Sequence, residues 1–260
     1  MKTMSKILMS ALVLSAVATP TTIFAADGGI YNSNGQVEFT PSTDPTNPVD
    51  PTDPTNPVKP TDPTNPDGPK PGTAGPLSID FASSLDFGKQ KITSEDQHYL
   101  ASAQGYYALD ENGTPSDTLV YGPDYVQVTD NRGTLAGWTL KVKQDKQFTN
   151  ADTGHVLDGA AITLTKANIV TASTAAKPTV AGDITLIPGQ ESLVMSATAG
   201  QGAGTYLTDW GTKDELTSDN TTSAISLFVP GSTTKYAEKY TTQLVWTLSD
   251  TPGNTTEAGA

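Results

Sequence analysis

Ala136-Gly-Trp138-Thr-Leu140-Lys-Val142-Lys143 and Leu244-Val-Trp246-Thr-Leu248-Ser249 are the stretches that decide the fold class. Side chains alternate along an extended chain. Ala136, Trp138, Leu140 and Val142 therefore share one face, with Thr139, Lys141 and Lys143 on the other. In the second stretch Leu244, Trp246 and Leu248 oppose Val245, Thr247 and Ser249. Each stretch reads as a half-buried strand with its tryptophan turned inward.

Outward from these strands, turn dipeptides recur from Leu77 to the C-terminus, among them Asn112-Gly113, Asp158-Gly159, Pro188-Gly189 and Pro230-Gly231. Between them lie short runs rich in Thr, Val, Ile and Tyr, such as 161–165, 183–187, 192–197 and 225–229, and no segment keeps helical periodicity over three turns. The chain is therefore all-β, with residues 77–260 expected to form a β-sandwich-like domain. Such a length buries one ordinary core. It has to, because there is no cysteine to cross-link the chain.

Residues 1–26 read as a secretory signal: Lys2 and Lys6 precede an apolar run from Ile7 to Val17, and small residues follow at Ala25-Ala26. The run is too short to span a bilayer, so no membrane insertion is expected once the signal is cleaved. Residues 27–40 hold a short alternating run broken by Asn34-Gly35, a hairpin signal that makes this an N-terminal β segment. Residues 41–76 read as a linker. Three copies of a nonapeptide occupy 43–69, with proline at every third position from Pro45 to Pro69. Polyproline II has three residues per turn and rises ~3.1 Å per residue, so the repeat is expected to be a stiff spacer of ~80 Å. After Pro252 there is no sortase-type motif and no apolar stop segment, which favours non-covalent retention.

The formal charge is −13, and loss of the leader removes Lys2 and Lys6 but no acid, giving −15. A chain this acidic repels nucleic acid, anionic lipid and anionic wall polymers. Nucleic acid is therefore excluded as a partner, and wall binding would rest on short-range hydrogen bonds and aromatic contacts.

The segments Val128-Thr-Asp-Asn-Arg132-Gly-Thr-Leu-Ala-Gly-Trp138-Thr-Leu140 and Tyr240-Thr-Thr-Gln-Leu-Val-Trp246-Thr-Leu-Ser-Asp-Thr-Pro252, with Leu85-Asp86-Phe87-Gly88 upstream, resemble the signature motifs of the WxL cell-wall-binding surface proteins. The resemblance covers roughly the whole secreted chain. It implies a β-rich module held non-covalently on the peptidoglycan of Gram-positive bacteria, secreted and exposed at the cell surface. Other surface proteins or host matrix are the alternative partners, with wall retention then supplied by those partners.

The candidate wall-binding residues are Trp138, Leu140, Trp246, Leu248, Arg132 and Trp210. Two readings stand for Trp138 and Trp246: core residues, or the aromatic wall of a groove that stacks on a sugar ring. Trp210 lies in a glycine-flanked stretch and could be exposed. Tyr106, Tyr107, Tyr121 and Tyr125 could supply a second aromatic platform, or be ordinary strand residues. Arg132, the chain's one arginine, could brace its own turn through Asp130 or grip a carboxylate of the wall stem peptide. Gln201-Gly-Ala-Gly-Thr205 reads as a mobile loop. His98 and His155 read as surface or turn residues without metal-ligand spacing, and Asp110–Asp117 as a solvated turn rather than a calcium loop. No cofactor or metal is implied. No catalytic residue is assigned, since Gly-x-Ser-x-Gly is absent and the many carboxylates are unplaced.

Overall fold

The computed structural model describes residues 30–252. The expected leader, residues 1–26, and the tail beyond Pro252 lie outside the described residues. In chain order the strands are Val49–Asp50 (β1), Asp53–Pro60 (β2), Leu77–Ala82 (β3), Gln97–Ser102 (β4), Gln104–Leu109 (β5) and Pro115–Gly122 (β6). Then come Asp124–Asp130 (β7), Trp138–Gln144 (β8), Ala161–Leu164 (β9), Ala167–Val170 (β10) and Thr179–Val180 (β11). Ile184–Thr185 (β12), Glu191–Ala197 (β13), Gly204–Trp210 (β14), Thr221–Val229 (β15) and Leu244–Ser249 (β16) complete the set. Among the described residues the only helical element is the 3-10 turn Lys213–Glu215.

The strands form four sheets, ordered β1-β2-β5-β6, β10-β14-β7-β3, β11-β13-β8-β16 and β12-β9-β15-β4. All pairings are antiparallel. The last three sheets enclose one core, to which β7 contributes Val126 and Val128, β8 Trp138, Leu140 and Val142, β14 Tyr206 and Trp210, and β15 Ile225, Leu227 and Val229. The expected all-β, sandwich-like class is what forms, and residues 161–164 and 191–197 are strands as their composition demands.

Every residue of β7 is buried. Val126 and Val128 face the central core, while Tyr125 alternates to the other side and packs with Phe81, Leu207 and Val49. That second side is covered by the proline repeat. The expected rod over 43–69 is thus corrected: residues 49–50 and 53–60 are strands, and the compact unit begins at Thr40 rather than Leu77. The physical reason is that polyproline II and β backbones occupy neighbouring φ/ψ regions, so the repeat pairs wherever it still has a donor. Val58 N–H donates to Pro48 O (2.9 Å) and Thr61 N–H to Gly105 O (2.8 Å). Val49 N–H donates to the Gln127 side-chain oxygen (2.9 Å), and the Gln127 amide in turn donates to Asn47 O (3.0 Å). Gln127 thereby reads the repeat as a neighbouring strand would.

The repeat's Asp-Pro-Thr unit also recurs as structure. Asp50, Asp53 and Asp62 each accept the backbone N–H and hydroxyl of the threonine two residues on. Val58, in the same repeat position as Val49, is 2% exposed; the third copy has Asp67 there and forms no strand.

Residues 30–39 fall in a separate unit. The expected N-terminal hairpin is not formed there: these residues contain no strand, and Ile30, Tyr31, Val37 and Phe39 are exposed. A two-stranded hairpin is marginal in water without a surface to pack on.

Beneath the repeat lie buried acids. Asp80 is satisfied by Ser78, Gln127 and Thr129 (2.6, 2.8 and 2.6 Å). Both oxygens of Asp124 and one of Asp209 have no hydrogen-bond partner. Burial pushes both of these carboxyls well above the usual range, and Asp50 adds repulsion at Asp209. Burial, then Asp50, also pushes the Tyr106 phenol up, and that phenol donates to Asp50 at 2.9 Å.

Two outcomes follow. Val58→Ala should lower unfolding free energy by about 2 kcal/mol, read by urea denaturation, whereas Val37→Ala, at an exposed position, should change it by less than about 0.5 kcal/mol. Equal effects would return the repeat to a spacer. For Asp124, a folded-state pKa raised above the unfolded value of 3.8 contributes stability that is complete below that pH and lost as pH rises through the folded value. Asp124→Asn should therefore raise Tm at pH 7 and flatten the loss of stability between pH ~4 and 7 relative to the parent; an unchanged pH profile would show the carboxyl is not buried in this way.

Candidate functional site

The two Trp-Thr-Leu strands lie side by side. β8 and β16 are antiparallel neighbours with Leu140 opposite Leu248, Val142 opposite Trp246 and Gln144 opposite Leu244. Trp138, Leu140, Val142, Leu244, Trp246 and Leu248 accordingly share one face, turned into the core, where β16 is only partly buried because it forms the sheet edge. β8 alternates between buried and half-buried residues along its whole length, as its sequence requires.

Trp138 is 0% exposed. Its ring lies 6.5 Å from Tyr206 across the core, and its indole N–H donates to Gly202 O at 3.0 Å. Two glycines permit this enclosure. A Cβ on Gly137 would fall 2.5 Å from Ala197 O, and one on Gly202 would fall 2.6 Å from the Trp138 indole nitrogen. Both residues also have positive φ, 84° and 78°, which suits glycine alone among residues without strain. The loop around Gly202, expected to be mobile, is instead tied down. Thr198 donates twice to the Gln201 side chain (3.1 and 2.9 Å), Ser173 donates to Ala203 O (2.7 Å), and Gly202 N–H donates to Ala176 O (2.9 Å).

The groove reading of the tryptophans fails at Trp138 and Leu140, which no ligand can touch in the folded chain. It fails also at Trp210, which sequence left open to solvent: the side chain is 2% exposed and lies 6.0 Å from Trp246. Trp246 and Leu248 are half-buried and packed against the core. Arg132 donates through Nε and Nη2 to the two oxygens of Asp130 (2.9 and 2.8 Å) and through Nη2 to Gly137 O (2.8 Å). Its fork is thus spent on bracing the turn that leads into Trp138. Tyr106 and Tyr125 are 1% and 0% exposed and form no platform. Asp110 closes the β5–β6 turn by accepting Asn112 and Thr114 N–H groups, which hold its carboxyl below the usual range.

Because β8 and β16 are antiparallel, the chain leaving β8 and the chain entering β16 emerge at the same end of the sheet. These connections, 145–160 and 230–243, are stitched together. Thr149 and Thr241 exchange backbone hydrogen bonds (2.9 and 3.0 Å), Asn150 donates to Lys239 O (2.9 Å), and Thr233 donates to Asp158 O (2.6 Å). His155 stacks on Tyr236 with ring centroids 3.8 Å apart, and its Nδ1 lies 2.9 Å from Glu238. Burial raises the Glu238 carboxyl, but hydrogen bonds from His155, Tyr240 and Thr153 outweigh it and hold the group below its usual value. Sequence reasoning passed over Tyr236, and nothing local in the chain links it to a histidine some 80 residues away.

A family model described as WxL domain surface cell wall-binding matches residues 26–252. No curated protein and no solved structure matches the chain.

Trp138→Ala should cost about 3–5 kcal/mol, and Gly202→Ala should also destabilise through its clash with the indole, both read by thermal and urea unfolding. If Trp138→Ala left stability intact, the buried position of this side chain would be wrong.

Proposed function

The chain belongs to the WxL family of surface cell wall-binding domains, and on that premise we propose that it is a secreted structural protein held non-covalently on the peptidoglycan of the Gram-positive wall. The observation that carries this reading is the extent of the match: residues 26–252 take in every strand from β1 to β16, so the wall-binding character belongs to the folded unit as a whole. The formal charge of −13 supports peptidoglycan over anionic secondary polymers, since like charges repel at the approach. Trp138 and Leu140 act from inside the fold, and the motif strands carry its surface loops toward the wall. No catalytic role is assigned.

One observation favours a second reading. Ile30, Tyr31, Val37 and Phe39 are exposed apolar residues in the segment preceding the compact unit, and such a segment suits addition as a strand to a protein partner. In that reading the chain is an interaction subunit of a surface complex, or a matrix-binding protein, kept at the wall by its partners.

Co-sedimentation of the chain from Asp27 onward with native sacculi and with sacculi stripped of teichoic acid separates these readings. Retention on stripped wall that survives moderate salt is expected, because short-range contacts are little screened. If the folded chain stays in the supernatant throughout, direct attachment is wrong and partners hold it.

A further inference from the structure

Trp138 is enclosed and Trp246 is half-buried against the core, so the motif tryptophans present little surface to the wall. Beside the paired strands β9 and β15, the β8–β9 and β15–β16 connections form an open cleft of about 480 Å³, within the range of small-ligand sites. We propose that this cleft is a glycan subsite, in which Tyr236, backed by His155, takes the flat face of a pyranose ring and Asp158, Ser232 and Thr234 take its hydroxyl and acetamido groups. The proposal rests on the wall-attachment reading above and supplies its contact surface.

Four observations carry it. Tyr236 is 48% exposed although His155 covers one of its faces at 3.8 Å; the accessible area therefore falls on its other face and edge. An aromatic face is the negative side of the ring quadrupole, and the axial C–H groups of a pyranose offer it partial positive charge. Asp158, Ser232 and Thr234 line the same cleft and are exposed, and their side chains make no hydrogen bond among the described residues. A free carboxylate beside two free hydroxyls supplies acceptors and donors for neighbouring sugar groups.

The platform is also held rigid. Glu238 fixes the His155 ring through Nδ1, and Thr153 donates to the other Glu238 oxygen at 3.1 Å. Lys235 does not face a ligand: its ammonium donates to Pro230 O, Gly231 O and Thr233 O (2.8, 3.3 and 3.0 Å), clamping the loop from within. A loop already ordered loses little freedom on binding. Finally, both walls of the cleft continue directly from the paired strands β9 and β15, with Ala161 opposite Phe228, so that pairing sets the distance between them.

The test uses the chain from Asp27 onward, its variants Tyr236→Ala, Tyr236→Phe and Asp158→Asn, and Leu193→Ala as a surface control outside the cleft. The probe is the peptide-free tetrasaccharide of alternating N-acetylglucosamine and N-acetylmuramic acid, with a glucose tetrasaccharide lacking acetamido groups as the second arm. Binding is followed by amide chemical shifts and calorimetry, with sacculus co-sedimentation in parallel. Shifts confined to 153–159 and 230–238 are expected. Tyr236→Ala should weaken tetrasaccharide binding roughly tenfold, equivalent to about 1.4 kcal/mol, while Tyr236→Phe and Leu193→Ala bind like the parent. Asp158→Asn keeps the fold testable if Tyr236→Ala unfolds, and should weaken binding too. Preference for the acetamido sugar would assign the source as peptidoglycan glycan, and equal binding a general pyranose site. Absence of shifts at the cleft, or unaltered binding in folded Tyr236→Ala, overturns the proposal. A parent that binds tetrasaccharide but not sacculi leaves the subsite standing and removes direct attachment; a parent that sediments with sacculi without cleft shifts does the reverse.

Discussion

A slip of one residue in the pairing of β8 with β16 would turn Trp246 and Leu248 out of the core, because side chains change face at every step along a strand. The observed register places Leu140 against Leu248 and Trp246 against Val142, and much else is fixed by it. It joins the two motifs into one apolar patch. It lays Trp246 against Trp210 of the opposing sheet, and it brings two connections that are distant in sequence to one edge. Full burial of roughly 200 Å² of indole at about 25 cal/mol per Å² is worth up to about 5 kcal/mol; half-buried Trp246 gains part of that, which favours the observed register over its neighbours.

Trp138 and Leu140 are thus a foundation and not a contact surface, while Trp246 and Leu248 on the edge strand stay partly open. Trp138 hydrogen-bonds to Gly202 and lies under a loop tied from three directions, while Arg132 locks the turn before it. Besides the partly open edge strand β16, what reaches solvent is the pair of connections that the motif strands carry.

The inward face of β8 was legible because its alternation is complete: every second residue from Trp138 to Gln144 is buried. The strands at 161–164 and 191–197 were legible from their strand-forming composition and the turn dipeptides beside them. β7 and β14 were harder. Gln127, Thr129, Thr208 and Asp209 are polar and yet buried, which marks strands covered on both sides, and that covering comes from a segment that alone reads as a spacer. Proline periodicity reports a backbone shape but is silent on whether a partner waits for it; here Gln127 and β5 are that partner. The stacked pair of His155 and Tyr236 was invisible, since only the meeting of two long connections brings the rings together.

The proline repeat, once it is part of the sheet, has a history constrained in a different way from a linker's. Near-identical coding repeats gain and lose copies readily when strands of DNA misalign during replication, and a spacer merely grows or shrinks. In this chain the first copy supplies Val49 and the second Val58, each with its own place in the packing, while the third carries Asp67 at that position and turns away. Loss of one copy would remove a structural element and uncover polar groups that now lie beneath it. Selection should therefore hold the copy number at the repeat's folded end and tolerate expansion only beyond it.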